Sequence, residues 1–158
     1  MIVKLGELAN IRAVNLDKKI VLTSGTFDLF HTGHLSYLEQ VKAYGDILVV
    51  LLSGDRRVKD RKGLSRPIIN QHDRARILDS LQIVDYVIID LSGQGQDENG
   101  TNHAEILEKL QPDYYVTDGP DPRFLNLLEK SKFIIVERMQ PEPSTTAIIN
   151  HIKNHQEQ

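Results

Sequence analysis

Six consecutive apolar residues, Ile47 to Leu52, form the longest apolar run in the chain and constrain its fold more than any other feature. A strand sends successive side chains to opposite faces, so it can be apolar throughout only where both faces are covered, as in the centre of a parallel sheet. Parallel strands in turn require long crossovers, usually helices. The flanking sequence supplies them. Ile20 to Leu22 is a short apolar run ending in Thr-Ser-Gly, and from His34 the pattern becomes helical, with Leu35, Leu38 and Val41 on one face and Gly45 as a stop. Asn70 can cap a helix carrying Ile77, Leu78 and Leu81, with Asp73 at the third position as in a capping box. Tyr86 to Ile89 supplies the next strand, Ser92 to Asn102 a polar loop, Ile106, Leu107 and Leu110 a helix stopped near Pro112, and Tyr114 to Val116 a strand. Asp121-Pro122 can start a helix bearing Phe124, Leu125 and Leu128. Phe133 to Val136 reads as the fifth strand, and Ser144 caps a helix bearing Ile148, Ile149 and Ile152. The expectation is an α/β, Rossmann-like, doubly wound five-stranded parallel sheet with helices on both faces and ligands outside the carboxyl ends of the strands. Residues 1–19 suggest a short helix around Leu5, Leu8 and Ile11.

A chain of 158 residues with 40% hydrophobic content suits a single domain over residues 1–158. The apolar runs are far below the length of a membrane span, and Met1 to Asn10 lacks the basic start and apolar stretch of a signal peptide. The expectation is a soluble, cytoplasmic protein with no membrane partner. The absence of cysteine excludes disulfides, thiolate metal sites and a cysteine nucleophile. Net charge is -3, yet Asp55 to Arg76 carries eight basic residues (Arg56, Arg57, Lys59, Arg61, Lys62, Arg66, Arg74, Arg76) against three acidic ones, which makes this stretch +5 and the remainder -8. An anionic ligand is expected there. No aromatic residues interleave with those cations, so the pattern does not point to nucleic acid.

The decapeptide GTFDLFHTGH, residues 25–34, falls in the turn after the first strand, at the carboxyl edge of the sheet. Gly25, Thr26, Phe27, Asp28, His31 and His34 therefore face the ligand crevice. The following helix, starting near Gly33, offers free N–H groups and a partial positive charge, which is a phosphate site. A histidine spacing of three puts both rings on one side of the first helical turn. The pair lacks a third metal ligand and is not part of an HExxH sequence, and neither a dinucleotide glycine pattern nor a Walker sequence is present. No protein-held metal is expected.

GTFDLFHTGH closely resembles the signature of the cytidylyltransferase-like nucleotidyltransferase superfamily, whose core is HxGH. KDRKGLSRPIINQHDRARILDSLQIVDYVI (59–88) and STTAII (144–149) are similar to the adenylyltransferase domain of bacterial ADP-heptose synthases. The likeness runs from about residue 18 onward, except for 91–102. It implies attack by a substrate phosphate oxygen on the α-phosphorus of a nucleoside triphosphate, with ATP favoured and pyrophosphate released. A phosphate monoester is already an anionic nucleophile, so positioning and charge stabilisation suffice. On this pattern His31 and His34 contact the triphosphate. Lys59 and Lys62, from a mobile loop, close over the pyrophosphate, and Ser144, Thr145 and Thr146 give hydroxyls and helix-start N–H groups to the phosphates. Asp28 and Arg74 fall on motif positions, to touch the nucleotide or to hold the turn and the helix layer. Mg²⁺ is implied with the triphosphate, and a homodimer is common in the family. The other histidines, His72, His103, His151 and His155, read as surface helix residues.

Related readings are a CTP-dependent cytidylyltransferase acting on glycerol 3-phosphate or another alcohol phosphate, an FAD synthetase of archaeal type, and a nucleotide-binding regulator with a lapsed active site. The cytidylyltransferase branch carries an arginine shortly before STT, and Arg138 stands one position out of that spacing. The chain also departs from ADP-heptose synthases after the fourth strand. Those have a lysine where VTDGPD (116–121) places Thr117, and Asp118 adds a negative charge. That charge would repel a phosphate but accept hydrogen bonds from hydroxyls, so Thr117 and Asp118 are candidate acceptor-binding residues.

Overall fold

The structure is a computed structural model that describes residues 1–91, 103–120, 132–137 and 143–155. Its strands are β1 (Ile20–Gly25), β2 (Ile47–Ser53), β3 (Tyr86–Asp90), β4 (Tyr114–Thr117) and β5 (Lys132–Ile135). They form one sheet in the order β3-β2-β1-β4-β5, and every neighbouring pair is parallel. The helices are α1 (Leu8–Ala13), preceded by a 3-10 turn at Leu5–Glu7, then α2 (Thr32–Lys42), α3 (Asp55–Lys62), α4 (Gln71–Asp79), α5 (His103–Leu110) and α6 (Thr145–Asn154). This is the doubly wound α/β sheet expected from the sequence. The loop read at 92–102, the helix read on Phe124, Leu125 and Leu128, and Arg138 lie outside the described residues.

The apolar run explains the layering. All seven residues of β2 are buried. Ile47, Val49 and Leu51 enter a core with Leu8 and Ile11 of α1 and Ile106, Leu107 and Leu110 of α5. Leu48, Val50 and Leu52 point the other way, into a core with Leu38 and Val41 of α2 and Ala75 and Leu78 of α4. Burial of each such side chain stabilises the fold by about 1.5–3 kcal/mol. No helix of the described residues is long and apolar enough to cross a membrane.

The strand order runs outward in opposite directions from β1, with β2 on one side and β4 on the other. Crossovers therefore diverge there, and the carboxyl ends of β1 and its neighbours open into a crevice at the switch point. One expectation is corrected. The segment carrying Lys59 and Lys62, read as a loop, is the helix α3, which starts after Gly54 in extended conformation and stops at Gly63, whose φ of 91° suits glycine. Val58 is its buried residue, too weak an apolar signal to mark a helical face in the sequence.

Candidate active site

A crevice of about 490 Å³ opens at the carboxyl edge of the sheet. Its floor is Ser24 to Asp28, one wall is the start of α2 with His31, Gly33, His34 and Tyr37, and a second is Ser53 with Arg57, Arg61 and Lys62. Thr117 to Pro120 and Pro143 to Thr145 complete it. Segments distant in the chain thus converge on one cleft.

The turn from Gly25 to His31 is tightly built. A Cβ on Gly25 would lie 2.6 Å from the Phe27 ring, so glycine lets that ring fold back against the strand end. Phe27 and Leu29 adopt φ values of 49° and 46°, a left-handed conformation that non-glycine residues hold only when their surroundings fix it. Asp28 does the fixing. It is 1% exposed; its carboxylate accepts from Ile68 N at 2.9 Å, Ile69 N at 3.0 Å and Arg66 Nε at 2.8 Å. Burial pushes this carboxyl up, but the N–H groups of Ile69 and Ile68 and the Arg66 guanidinium outweigh burial and hold it below the ordinary aspartate value. From the far end of the chain, Thr145 Oγ1 donates to Asp28 O at 2.8 Å. Asp28 lines the floor while its carboxylate serves the turn and the 66–69 segment.

His31 is the N-cap of α2, and its carbonyl accepts from His34 N at 2.9 Å and Leu35 N at 3.2 Å. This first turn stacks the two imidazoles, with centroids 3.8 Å apart and planes within 18°. Phe27 meets His34 edge-on at 5.3 Å, and Phe30 lies 5.5 Å from it. Aromatic packing therefore sets ring orientation at the mouth of the helix dipole.

The basic wall sorts the cations. Lys62 lines the crevice, whereas Lys59 is exposed and lies outside the lining. Arg57 and Arg61, which the sequence reading counted but did not single out, do line it. They stand four apart on α3, one face of a helix, and Lys59 is two positions, roughly 200°, from Arg57. That spacing was the available signal. Arg74 does not reach the crevice. It is fully buried beneath the turn, donating to Thr26 O, to Ile69 O at 2.8 Å and to Asp55 Oδ1 at 2.7 Å, so it holds the turn and α3 to α4. A second correction concerns His103. Its Nε2 lies 3.1 Å from Oδ2 of the buried Asp90, which also pairs with Arg57 Nε at 3.6 Å; His103 is thus no surface residue.

On the far wall Thr117 is buried and its hydroxyl donates to Gly119 O, while Asp118 is exposed; both line the crevice. Ser144 caps α6, its Oγ accepting from Ala147 N at 3.1 Å. Ser144 and Thr145 line the crevice, and Thr146 is exposed outside the lining. Among the described residues no three His, Cys, Asp or Glu side chains group to hold a metal ion. The donor set of the crevice, cations and helix-start N–H groups, suits a divalent ion that arrives on nucleotide phosphates rather than in a protein cage.

A family model described as cytidylyltransferase-like matches residues 22–154. The chain belongs to this family. Within the matched region, His31, Gly33 and His34 line the crevice. This cytidylyltransferase-like chain is 41% identical over 143 residues to the bifunctional protein HldE of Helicobacter pylori (strain J99), covering 86% of this chain and 28% of the relative. HldE of Campylobacter curvus is 37% identical over 150 residues, 94% of this chain and 30% of the relative. HldE of Aliarcobacter butzleri is 59% identical over 75 residues, 48% of this chain and 16% of the relative. The chain thus spans less than a third of the curated relatives it matches. Among solved structures, the lipopolysaccharide core biosynthesis protein of Thermoplasma volcanium superposes with a TM-score of 0.64 at 22% identity, covering 78% of this chain and 99% of that one. The pantoate-beta-alanine ligase of Francisella tularensis gives 0.60 at 17%, covering 99% of this chain and 78% of that one. At these identities the likeness is one of fold.

Proposed function

We propose that this chain transfers a nucleoside monophosphate, AMP in the favoured case, from a nucleoside triphosphate to the phosphate of a small metabolite, a sugar phosphate, releasing pyrophosphate. The observation that carries this reading is the stacked His31–His34 pair at the start of α2, inside the crevice at the switch point. The similarity to HldE proteins favours ATP and a sugar phosphate. An acceptor phosphate oxygen attacks the α-phosphorus and forms the new P–O bond. The bond to the bridging oxygen breaks, and its electron pair leaves with pyrophosphate. No proton need be abstracted from a phosphate monoester ionised near neutral pH, so the chain needs no general base.

His31 and His34 donate to the α and bridging oxygens, where charge grows. The backbone N–H of Gly33, with the floor residues Gly25, Thr26 and Phe27, cradles the phosphates against the helix start. Ser144 and Thr145 add hydroxyls from the opposite wall, and Lys62 neutralises the leaving pyrophosphate. Magnesium, entering with the triphosphate, supplies further neutralisation of the phosphates. Asp28 and Arg74 act by holding this turn. Asp118 accepts hydrogen bonds from the acceptor's hydroxyls. The test is pyrophosphate release from each of four nucleoside triphosphates against a panel of phosphorylated sugars and alcohols. Release from ATP with a sugar phosphate is expected. Tight nucleotide binding with no turnover of any pair would overturn the reading in favour of a regulatory module.

A further inference from the structure

We propose that Arg57 grips the phosphate of the acceptor, and that Asp90, steadied by His103, is its positioning carboxylate. This rests on the nucleotidyltransferase reading of the crevice and adds the residue that selects the second substrate. Arg57 lies on α3 just after β2, lines the crevice, and is 18% exposed in its side chain. Behind it stands Asp90, the last residue of β3, whose side chain is fully buried. A buried carboxylate is costly unless paired. Asp90 is held from two sides, by Arg57 Nε at 3.6 Å and by His103 Nε2 at 3.1 Å, the latter from the start of α5. Gly54 closes the same corner: its N–H donates to Asp90 O at 2.9 Å, and a Cβ there would meet that oxygen at 2.6 Å. The guanidinium thus sits with its Nε edge at ion-pair distance from a carboxylate fixed at the rigid end of a strand, within the lining of the crevice.

The position selects the acceptor rather than the triphosphate. The phosphate-binding features of α2 and α6 meet at the turn after β1, with Thr145 bonded to Asp28. Arg57 belongs to the β2 side, and Asp118 to the end of β4 on the other side of β1. Strands two apart are separated by roughly 10 Å, a span that a phosphorylated polyol can bridge with hydroxyls at one end and phosphate at the other. Among the described residues the end of β4 offers no cation: Thr117 is uncharged and its hydroxyl donates to Gly119 O. The opposite wall does offer cations, and there an arginine fork matches phosphate geometry better than the point charge of lysine.

The test uses titration calorimetry with Mg²⁺ on the full chain, first with α,β-methylene-ATP and then, on protein saturated with that analogue, with heptose 1-phosphate, glycerol 3-phosphate and inorganic phosphate. Wild type, Arg57→Gln, Arg57→Lys, Asp90→Asn and His103→Gln are compared at matched folded fraction. Arg57→Gln should weaken the phosphate probe about tenfold or more, Arg57→Lys and Asp90→Asn by less, while analogue affinity stays within about twofold. An equal loss of analogue affinity would assign Arg57 to the triphosphate and overturn the proposal. So would unchanged probe binding in Arg57→Gln, which would leave the cluster as a tie between α3, β3 and α5, and so would a wild type that holds the analogue but none of the probes. A wild type that fails to bind the analogue sinks the parent reading instead, and the acceptor grip with it.

Discussion

The two edges of the sheet use the same kinds of charged residue for opposite ends. At the amino edge, strands begin with N–H groups that lack ladder partners, and carboxylates meet them. Asp113 Oδ2 accepts from Ile20 N at 2.8 Å and from Arg12 Nη2 at 2.9 Å. Asp85 Oδ2 accepts from Leu48 N and Lys42 Nζ, both at 2.7 Å, and Asp46 Oδ2 from Lys19 N at 2.9 Å. Each charge there is matched locally, by a strand start and in two cases by a cation. At the carboxyl edge, strands end in carbonyls and helices begin with N–H groups, and the crevice adds Arg57, Arg61 and Lys62. With Arg66 and Arg74, five cations stand there against the four carboxylates Asp28, Asp55, Asp90 and Asp118. The lesson is that strand polarity itself divides the molecule into a neutralised, structural end and an anion-seeking, functional end.

Substitutions at the two edges should therefore part company. The largest effect is expected from His31→Ala or His34→Ala, which should lower turnover by roughly 10² to 10⁴ with little change in Tm; near wild-type rates in both folded variants would remove the catalytic assignment. Arg74→Met should reverse that pattern, costing about 3–5 kcal/mol in urea unfolding because Asp55 and Thr26 O lose a buried partner. If its stability is unchanged but nucleotide affinity collapses, Arg74 is a ligand contact after all. Lys62→Ala should slow turnover about tenfold, the loss of about one charge-assisted contact, and Lys59→Ala less than about twofold. Equal effects would mean that α3 rearranges when nucleotide binds. The smallest change should be Asp113→Asn, about 1 kcal/mol of stability at a partly exposed pair, with turnover intact.

Acidity offers a sharper form of the same contrast. Asp28 and Asp113 are both held below the ordinary aspartate value, although burial opposes this, by backbone N–H groups and an arginine beside each. Because the folded-state value is depressed, each contributes stability that is fully present above about pH 4 and is lost as pH falls through the depressed value. Asp28→Asn and Asp113→Asn should each flatten the acid limb of a Tm-versus-pH curve. At neutral pH only Asp28→Asn should also impair turnover, since it loosens the turn that carries His31.

Much of this was legible in the sequence because it is local. The run Ile47 to Leu52 fixed a doubly covered strand, and GTFDLFHTGH placed two histidines at a helix start, since neither inference needs a distant contact. The helix α3 was missed because its stability shows in few apolar positions: Val58 is buried, while Arg56–Asp60 at 3.3 Å is a surface pair. Asp90, His103 and Arg57 come together from three elements separated along the chain, and no periodicity reports such a meeting. Arg74 was ambiguous for a related reason. A charged residue on a predicted helix can face a ligand or a buried carbonyl, and only the position of Thr26 O beneath the turn decides between them.

The central claim is that triphosphate is held at the carboxyl edge, against the start of α2 and Lys62 at the end of α3. Hydrogen exchange with and without Mg²⁺ and α,β-methylene-ATP tests it most directly. Added protection is expected in residues 25–35 and around Lys62, and none at the amino edge around Lys19, Ile20, Leu48 and Asp85. Protection at the amino edge, or saturated nucleotide binding without protection of residues 25–35, would contradict it.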